Sequence, residues 1–168
     1  MEFGEVAIVS LPAGRVASYE VTGEAPEQDA IAFVEKWLAD KGLRPGADGV
    51  RGFGFDCHKE RDIPEGCRIY HVYYTVPADV AGDAAVTVKD FPGGAFARLI
   101  VTDPFSGDFP TGWYTLLAWT FEHNVRNGLG CTSPDDCYSL FSGEDSPCLE
   151  ELYQQDGVQY MALYLPLA

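Results

Sequence analysis

The chain has 168 residues, 46% hydrophobic and 13% aromatic, enough for one compact core and too apolar for a disordered chain. Its formal charge of -15 repels phosphate backbones, and its 11 basic residues do not cluster in sequence, which argues against direct nucleic-acid binding. No run approaches the about 18 consecutive apolar residues of a membrane span, and the start, Met1-Glu2-Phe3-Gly4-Glu5, is not a leader, so the expectation is a cytoplasmic protein without membrane attachment.

The negative field would attract cationic ligands or a basic protein surface, although acidity also serves solubility alone. Five cysteines occur, Cys57, Cys67, Cys131, Cys137 and Cys148, an odd count without a CxxC pair. Reduced, unligated thiols are the expectation, with a Cys131–Cys137 disulfide as the alternative. Cys57 and His58 are adjacent, poor spacing for two ligands to converge on one ion, so neither metal nor cofactor is expected.

In chain order, the first element is a strand entered through Leu11-Pro12-Ala13-Gly14 and ending at Thr22. A helix is predicted from Pro26, where a missing N–H costs nothing, with Glu27 and Asp29 complementing its dipole. Ile31, Val34 and Leu38 form its apolar stripe, Trp37 lies at the edge, and Gly42 is the C-cap. Strands are expected around residues 52–57 and 67–77, the latter reading Ile69-Tyr70-His71-Val72-Tyr73-Tyr74-Thr75-Val76-Pro77. A linking strand falls near residues 84–88.

The pattern then repeats. Phe91-Pro92-Gly93-Gly94 leads into a strand ending at Thr102, and a second helix starts near Pro110 or Thr111. Trp113, Leu116, Leu117, Thr120 and Phe121 form its buried side, Trp119 lies at the edge as Trp37 does, and the end is expected at Asn127-Gly128. Strands follow around residues 138–141 and 158–166, the last again tyrosine-rich and ending in an aliphatic-Pro pair. The predicted fold is α+β: duplicated strand–helix–strand–strand units, about 5–80 and 85–168, within one domain. They would form a curved, mostly antiparallel sheet with two long helices and pseudo-two-fold symmetry, and a ligand cleft where the halves meet.

The corner Phe91-Pro92-Gly93-Gly94-Ala95-Phe96-Ala97, the acidic-aromatic loop after it, and the run from Pro110 to Trp119 resemble the GyrI-like family. So does the ending, Glu151-Leu152-Tyr153 before Tyr160-Met161-Ala162-Leu163-Tyr164-Leu165-Pro166-Leu167. That family includes the effector-binding domains of AraC- and MerR-type multidrug regulators and a bacterial DNA gyrase inhibitory protein. The resemblance spans Glu5 to Leu167 and implies the doubled fold, with a stand-alone effector-binding domain because the first repeat begins close to Met1. Asp103-Pro104-Phe105 stands where many relatives carry Gly-Pro-Tyr. The family's ligand-binding acid could match Glu151, by spacing to Tyr153, or Glu150, by spacing from Pro147.

The resemblance implies binding of a lipophilic, cationic small molecule, held by aromatic faces and a carboxylate, for sensing or sequestration. The candidates are Glu151, Tyr164, Tyr73 and Trp113, followed by Tyr19, Phe105 and Tyr114. The tyrosines could equally be core or sheet-surface residues, and Glu151 a solvated acid. If Leu149, Glu151 and Tyr153 lie on an extended segment, they share one face. Some proteins similar to the family hydrolyse strained cyclopropane rings of alkylating natural products, a role in which Glu151 and Tyr164 would be catalytic. His58, His71 and His123 are further acid–base groups, and no Ser-His-Asp spacing is evident. A third reading is a protein-interaction module whose partner is DNA gyrase or a separate regulator.

Overall fold

The computed structural model describes residues 1–58, 61–137, 143–145 and 147–168. The fold is α+β, built from antiparallel strands and two long helices. The described strands are β1 (Glu2–Phe3), β2 (Ala7–Leu11), β3 (Gly14–Gly23), β4 (Gly52–Asp56), β5 (Arg68–Val76), β6 (Thr87–Phe91), β7 (Gly94–Thr102), β8 (Leu149–Gln155) and β9 (Val158–Pro166). The helices are α1 (Pro26–Ala39), α2 (Pro110–Glu122) and the single turn α3 (Pro134–Cys137). The expected duplication is visible in element order, β3-α1-β4-β5 followed by β7-α2-β8-β9.

The chain forms two compact units, Pro12–Gly93 and Met1–Leu11 with Gly94–Ala168. Their boundaries fall at the two matching corners, Leu11-Pro12 and Gly93-Gly94, so the repeated motif marks where the chain passes from one unit to the other. At the second corner the backbone is left-handed at Gly93 (φ 64°), which favours glycine there.

In the Pro12–Gly93 unit, β5 lies between β4 and β3, and β6 pairs with the far side of β3. Helix α1 covers one face: Ala30, Val34, Trp37 and Leu38 pack on Ala17, Tyr70, Val72 and Tyr74. Trp37 is thus part of the core rather than its edge, its indole N–H donating to Asp83 at 2.7 Å. Strand alternation turns Ser18, Glu20, Phe53, Phe55, His71 and Tyr73 to the opposite face.

In the other unit, β7 pairs with β1, β2 and β9, and β9 pairs with β8. Leu116 and Leu117 of α2 pack on Ala97, Leu99, Val101, Met161, Leu163 and Leu165. Phe96, Arg98, Tyr160 and Tyr164 therefore face away from α2.

Both long helices end in the same device. Leu43 N–H bonds to Leu38 O and Gly42 N–H to Ala39 O, with Gly42 left-handed at φ 75°. In α2, Val125 N–H bonds to Thr120 O and Asn124 N–H to Phe121 O, with Asn124 at φ 53°. The expected end at Asn127-Gly128 is therefore corrected: Asn124 takes the left-handed position and stops the helix at Glu122.

Other expectations shift as well. The linking strand is Thr87–Phe91 rather than 84–88, because Asp83 Oδ1 accepts from the N–H groups of Ala85 and Val86 and holds that segment in a turn. The strand expected at 138–141 lies outside the described residues, and the partner of β9 is β8. Cys57, Cys67 and Cys148 are thiols outside any disulfide, whereas Cys131 is disulfide-bonded, correcting the expectation of reduced thiols at that position. Among the described residues, no helix is long and apolar enough to cross a membrane.

Candidate functional site

The segment Leu149–Gln155 is extended, and its register with β9 sets Leu149 against Tyr164, Glu151 against Ala162 and Tyr153 against Tyr160. Leu149, Glu151 and Tyr153 therefore share the face that turns away from α2. On that face the Tyr164 hydroxyl donates to Glu151 Oε2 at 2.7 Å. Tyr164 is only 3% exposed, so the hydrogen bond is shielded from bulk water. Phe96 meets the Tyr164 ring edge-on, with centroids 6.1 Å apart.

Next to the acid, the rings of Tyr153 and Tyr160 stack at 5.4 Å and 17°. Burial, then the Glu151 carboxylate, raises the Tyr153 phenol above its ordinary range, with Arg98 acting in the opposite sense. Tyr153 thus keeps its proton at neutral pH and stays a hydrogen-bond donor. Arg98 stands directly across from Tyr164 in the β7–β9 register, a fixed cation on an aromatic and acidic face.

The neighbouring acid is separated from this group. Glu150 points to the helix side, where Trp113 Nε1 donates to its Oε1 at 3.3 Å. Burial, then the Glu150 charge, pushes the Cys148 thiol up, which makes it a poor nucleophile. One acid is thus joined to a phenol and the other to an indole, on opposite faces of β8. Trp113, expected to share a site with Glu151 and Tyr164, lies on the other face.

The remaining candidates lie on other elements. Tyr73 belongs to the Pro12–Gly93 unit, where Lys89 Nζ already lies 4.8 Å from its ring centroid. Tyr19 stacks on Phe33 at 4.3 Å on the α1 side. Phe105 is 67% exposed and Tyr114 52% exposed, one in the turn before α2 and the other on its outer side. His123 caps α2, its ring against Trp119 and its Nδ1 2.9 Å from the Trp119 carbonyl oxygen. His58 lies near Asp56, whose carboxyl is pushed up by burial against the opposing pull of His58 and Arg68.

A second polar group was not anticipated. Ser18 Oγ lies 2.6 Å from His71 Nε2, and Glu20 Oε2 lies 3.4 Å from His71 Nδ1. Arg61 Nη2 donates to Glu20 Oε1 at 2.8 Å, and with His71 it holds the Glu20 carboxyl below its usual range against desolvation. Phe55 stacks flat on the imidazole at 5.0 Å and 7°. The signal was present in alternation, Ser18 and Glu20 on one strand and His71 and Tyr73 on another. The β3–β5 register, which sets Glu20 opposite His71, was not.

The two units match through their registers. Ser18 faces Tyr73 in the β3–β5 pair and Arg98 faces Tyr164 in the β7–β9 pair, so Tyr73 and Tyr164 hold corresponding places. By the same correspondence Phe55, opposite His71, stands where Glu151 stands opposite Ala162. Only one unit carries a carboxylate at that position.

No family model matches the chain, and no curated protein matches it in sequence. Solved structures do share the fold. The C-terminal domain of EcmrR has a TM-score of 0.66 at 13% identity, covering 100% of this chain and 99% of that one. A hydrolase from Listeria innocua has a TM-score of 0.57 at 15% identity, covering 98% and 92%. SAV2435 bound to tetraphenylphosphonium has a TM-score of 0.55 at 12% identity, covering 98% and 94%.

Proposed function

We propose that the chain is a small-molecule-binding domain of the GyrI-like kind, which takes a lipophilic cation on the face carrying Glu151, Tyr164, Tyr153, Tyr160 and Phe96. The observation that carries this reading is the Tyr164–Glu151 hydrogen bond of 2.7 Å, set among aromatic rings. A carboxylate fixed in place by a phenol presents an oriented acid to a cation, while the negative faces of the rings attract the same charge. That SAV2435, a protein of the same fold, is bound to tetraphenylphosphonium supports the chemical class. Of the two consecutive acids, the reading selects Glu151, since Glu150 is engaged by Trp113 on the α2 side.

Isothermal titration of the chain with tetraphenylphosphonium and with a neutral lipophile of similar size tests this. The cation is expected to bind more tightly, and Glu151→Gln to weaken it by roughly tenfold or more, the scale of losing about 1.4 kcal/mol of charge interaction. Equal affinity of Glu151→Gln and the parent chain for the cation would remove the carboxylate from the reading.

A second reading, hydrolytic opening of a strained three-membered ring, draws on the same pair. Tyr164 and Glu151 are within proton-transfer reach of one another, so a phenol and a carboxylate could assist ring opening and position water. Mass spectrometry of a cyclopropane-bearing alkylator incubated with the chain would reveal a water adduct, and turnover no faster than without protein would sink this reading for that substrate.

A further inference from the structure

The polar group around His71 has a composition that packing alone does not call for. Glu20, Cys57 and His71 bring one carboxylate oxygen, one thiol sulfur and one imidazole nitrogen within 4.8 Å of one another. They come from three chain segments. Glu20 lies opposite His71 in the β3–β5 register. Cys57 follows β4, where its N–H bonds to Ile69 O at 3.0 Å and extends the β4–β5 pairing by one residue. That places Cys57 diagonally across from His71 on the same face. The cysteine and the histidine are 3% and 6% exposed.

We infer that Glu20, Cys57 and His71 form a binding site for a borderline divalent metal ion, zinc being the natural occupant. A mixed sulfur, nitrogen and oxygen donor set suits zinc, whereas calcium and magnesium take oxygen alone. Zinc–ligand bonds of about 2.0–2.3 Å put neighbouring ligand atoms roughly 3.3–3.8 Å apart, so closing on an ion asks a movement of about 1 Å at the widest pair.

The surroundings are those that orient metal ligands. Ser18 Oγ, 2.6 Å from Nε2, can accept the imidazole N–H there, which leaves the Nδ1 lone pair directed toward Glu20 Oε2 at 3.4 Å. Arg61 holds the carboxylate chiefly by Oε1, at 2.8 Å, and reaches Oε2 only at the longer 3.5 Å, so that Oε2 is the oxygen turned toward the imidazole. Phe55, flat against the imidazole, fixes the ring plane. Three protein ligands leave one tetrahedral position for water or a substrate atom, the arrangement of reactive rather than purely structural zinc sites. None of these residues belongs to the Glu151 group, so the metal site stands independently of the cation-binding proposal.

Cobalt(II) is the probe, since it takes zinc geometry and reports thiolate ligation by a charge-transfer band in the near ultraviolet. The full chain, stripped with a chelator, is titrated with cobalt(II) and then with zinc. One equivalent of cobalt is expected to produce the band, and zinc to bleach it. Cys57→Ser, a near-isosteric change, abolishes the band, and Glu20→Gln weakens zinc binding by at least about 100-fold. Ser18→Ala keeps the band but weakens zinc by about 10–100-fold, as a positioning residue would. Circular dichroism checks that each variant is folded. A folded parent chain that gives no band, or a band that survives Cys57→Ser and so comes from Cys67 or Cys148, overturns the assignment.

Discussion

Tyr164 donates its hydroxyl to Glu151 across the β8–β9 pair at 2.7 Å, joining the penultimate strand to the last by side chains as well as backbone. A hydrogen bond to a charged acceptor in a shielded place contributes about 1.5–3 kcal/mol. Tyr164→Phe is therefore expected to lower the unfolding free energy by that amount in urea denaturation. Its loss of tetraphenylphosphonium affinity should be smaller than that of Glu151→Gln, because the negative charge remains. An equal loss would mean that the phenol itself, rather than the acid, contacts the cation.

The consecutive acids give a matched pair of variants. Glu150 is tied to Trp113 by a 3.3 Å hydrogen bond on the α2 side. Glu150→Gln keeps an acceptor for the indole and should leave cation affinity within about twofold of the parent, a difference of under 0.5 kcal/mol. Trp113→Phe should destabilise the fold by about 1–3 kcal/mol through lost packing and the lost indole–carboxylate hydrogen bond, again without selective loss of binding. Titrating both variants with tetraphenylphosphonium decides whether the two acids are separable in function as they are in geometry.

Much of the architecture was legible because its causes are local. Pro26 and Pro110 start helices, Val34, Leu38, Leu116 and Leu117 recur at helical spacing, and the two Pro-containing corners announce the duplication. What escaped is set by partners far apart in sequence. Asn124 gave no sign that it, rather than Gly128, would take the left-handed position after α2. Glu151 and Glu150 differ only in which side of β8 they face, and that is decided by pairing with β9. Ser18 and His71 are 53 residues apart and meet through the β3–β5 register. Patterning gives the faces of a strand, whereas register gives its neighbours.

Arg98 bears on charge preference. It faces Tyr164 across the β7–β9 pair, and its charge opposes any cation brought to Glu151. Arg98→Met keeps much of the aliphatic stem and removes the charge. Tetraphenylphosphonium affinity is expected to rise severalfold, corresponding to about 1 kcal/mol of relieved repulsion. The gain should be larger at low salt. A fall in affinity with the fold intact would show that Arg98 contributes to the binding face rather than opposing it.

Acid stability should report on Asp83. The Trp37 indole, then the N–H groups of Val86 and Ala85, lower its carboxyl from an ordinary value of 3.8 to about 2. A depressed folded-state value means that the carboxylate stabilises the fold above its unfolded value. That contribution is lost as pH falls through the interval from 3.8 to about 2. Asp83→Asn removes the titration. The difference in urea midpoint between parent and variant should be constant above pH 5 or so and shrink toward pH 2. A difference that grows on acidification would contradict this assignment.

Two glycines of β4 leave room for tyrosine rings. A Cβ on Gly54 would run into the Tyr70 hydroxyl and ring, and one on Gly52 into the ring of Tyr74. Both tyrosines belong to β5 and are buried against α1 with Val34, Trp37 and Leu38. Neither glycine has a positive φ, so the requirement is space and not backbone freedom. Gly54→Ala would force Tyr70 out of its place, and overpacking of this kind costs about 1–3 kcal/mol. Gly54→Ala combined with Tyr70→Phe should recover only part of the loss, since the ring carbons as well as the hydroxyl meet the new methyl. Urea unfolding of both variants checks this, and full recovery in the double variant would place the conflict at the hydroxyl alone.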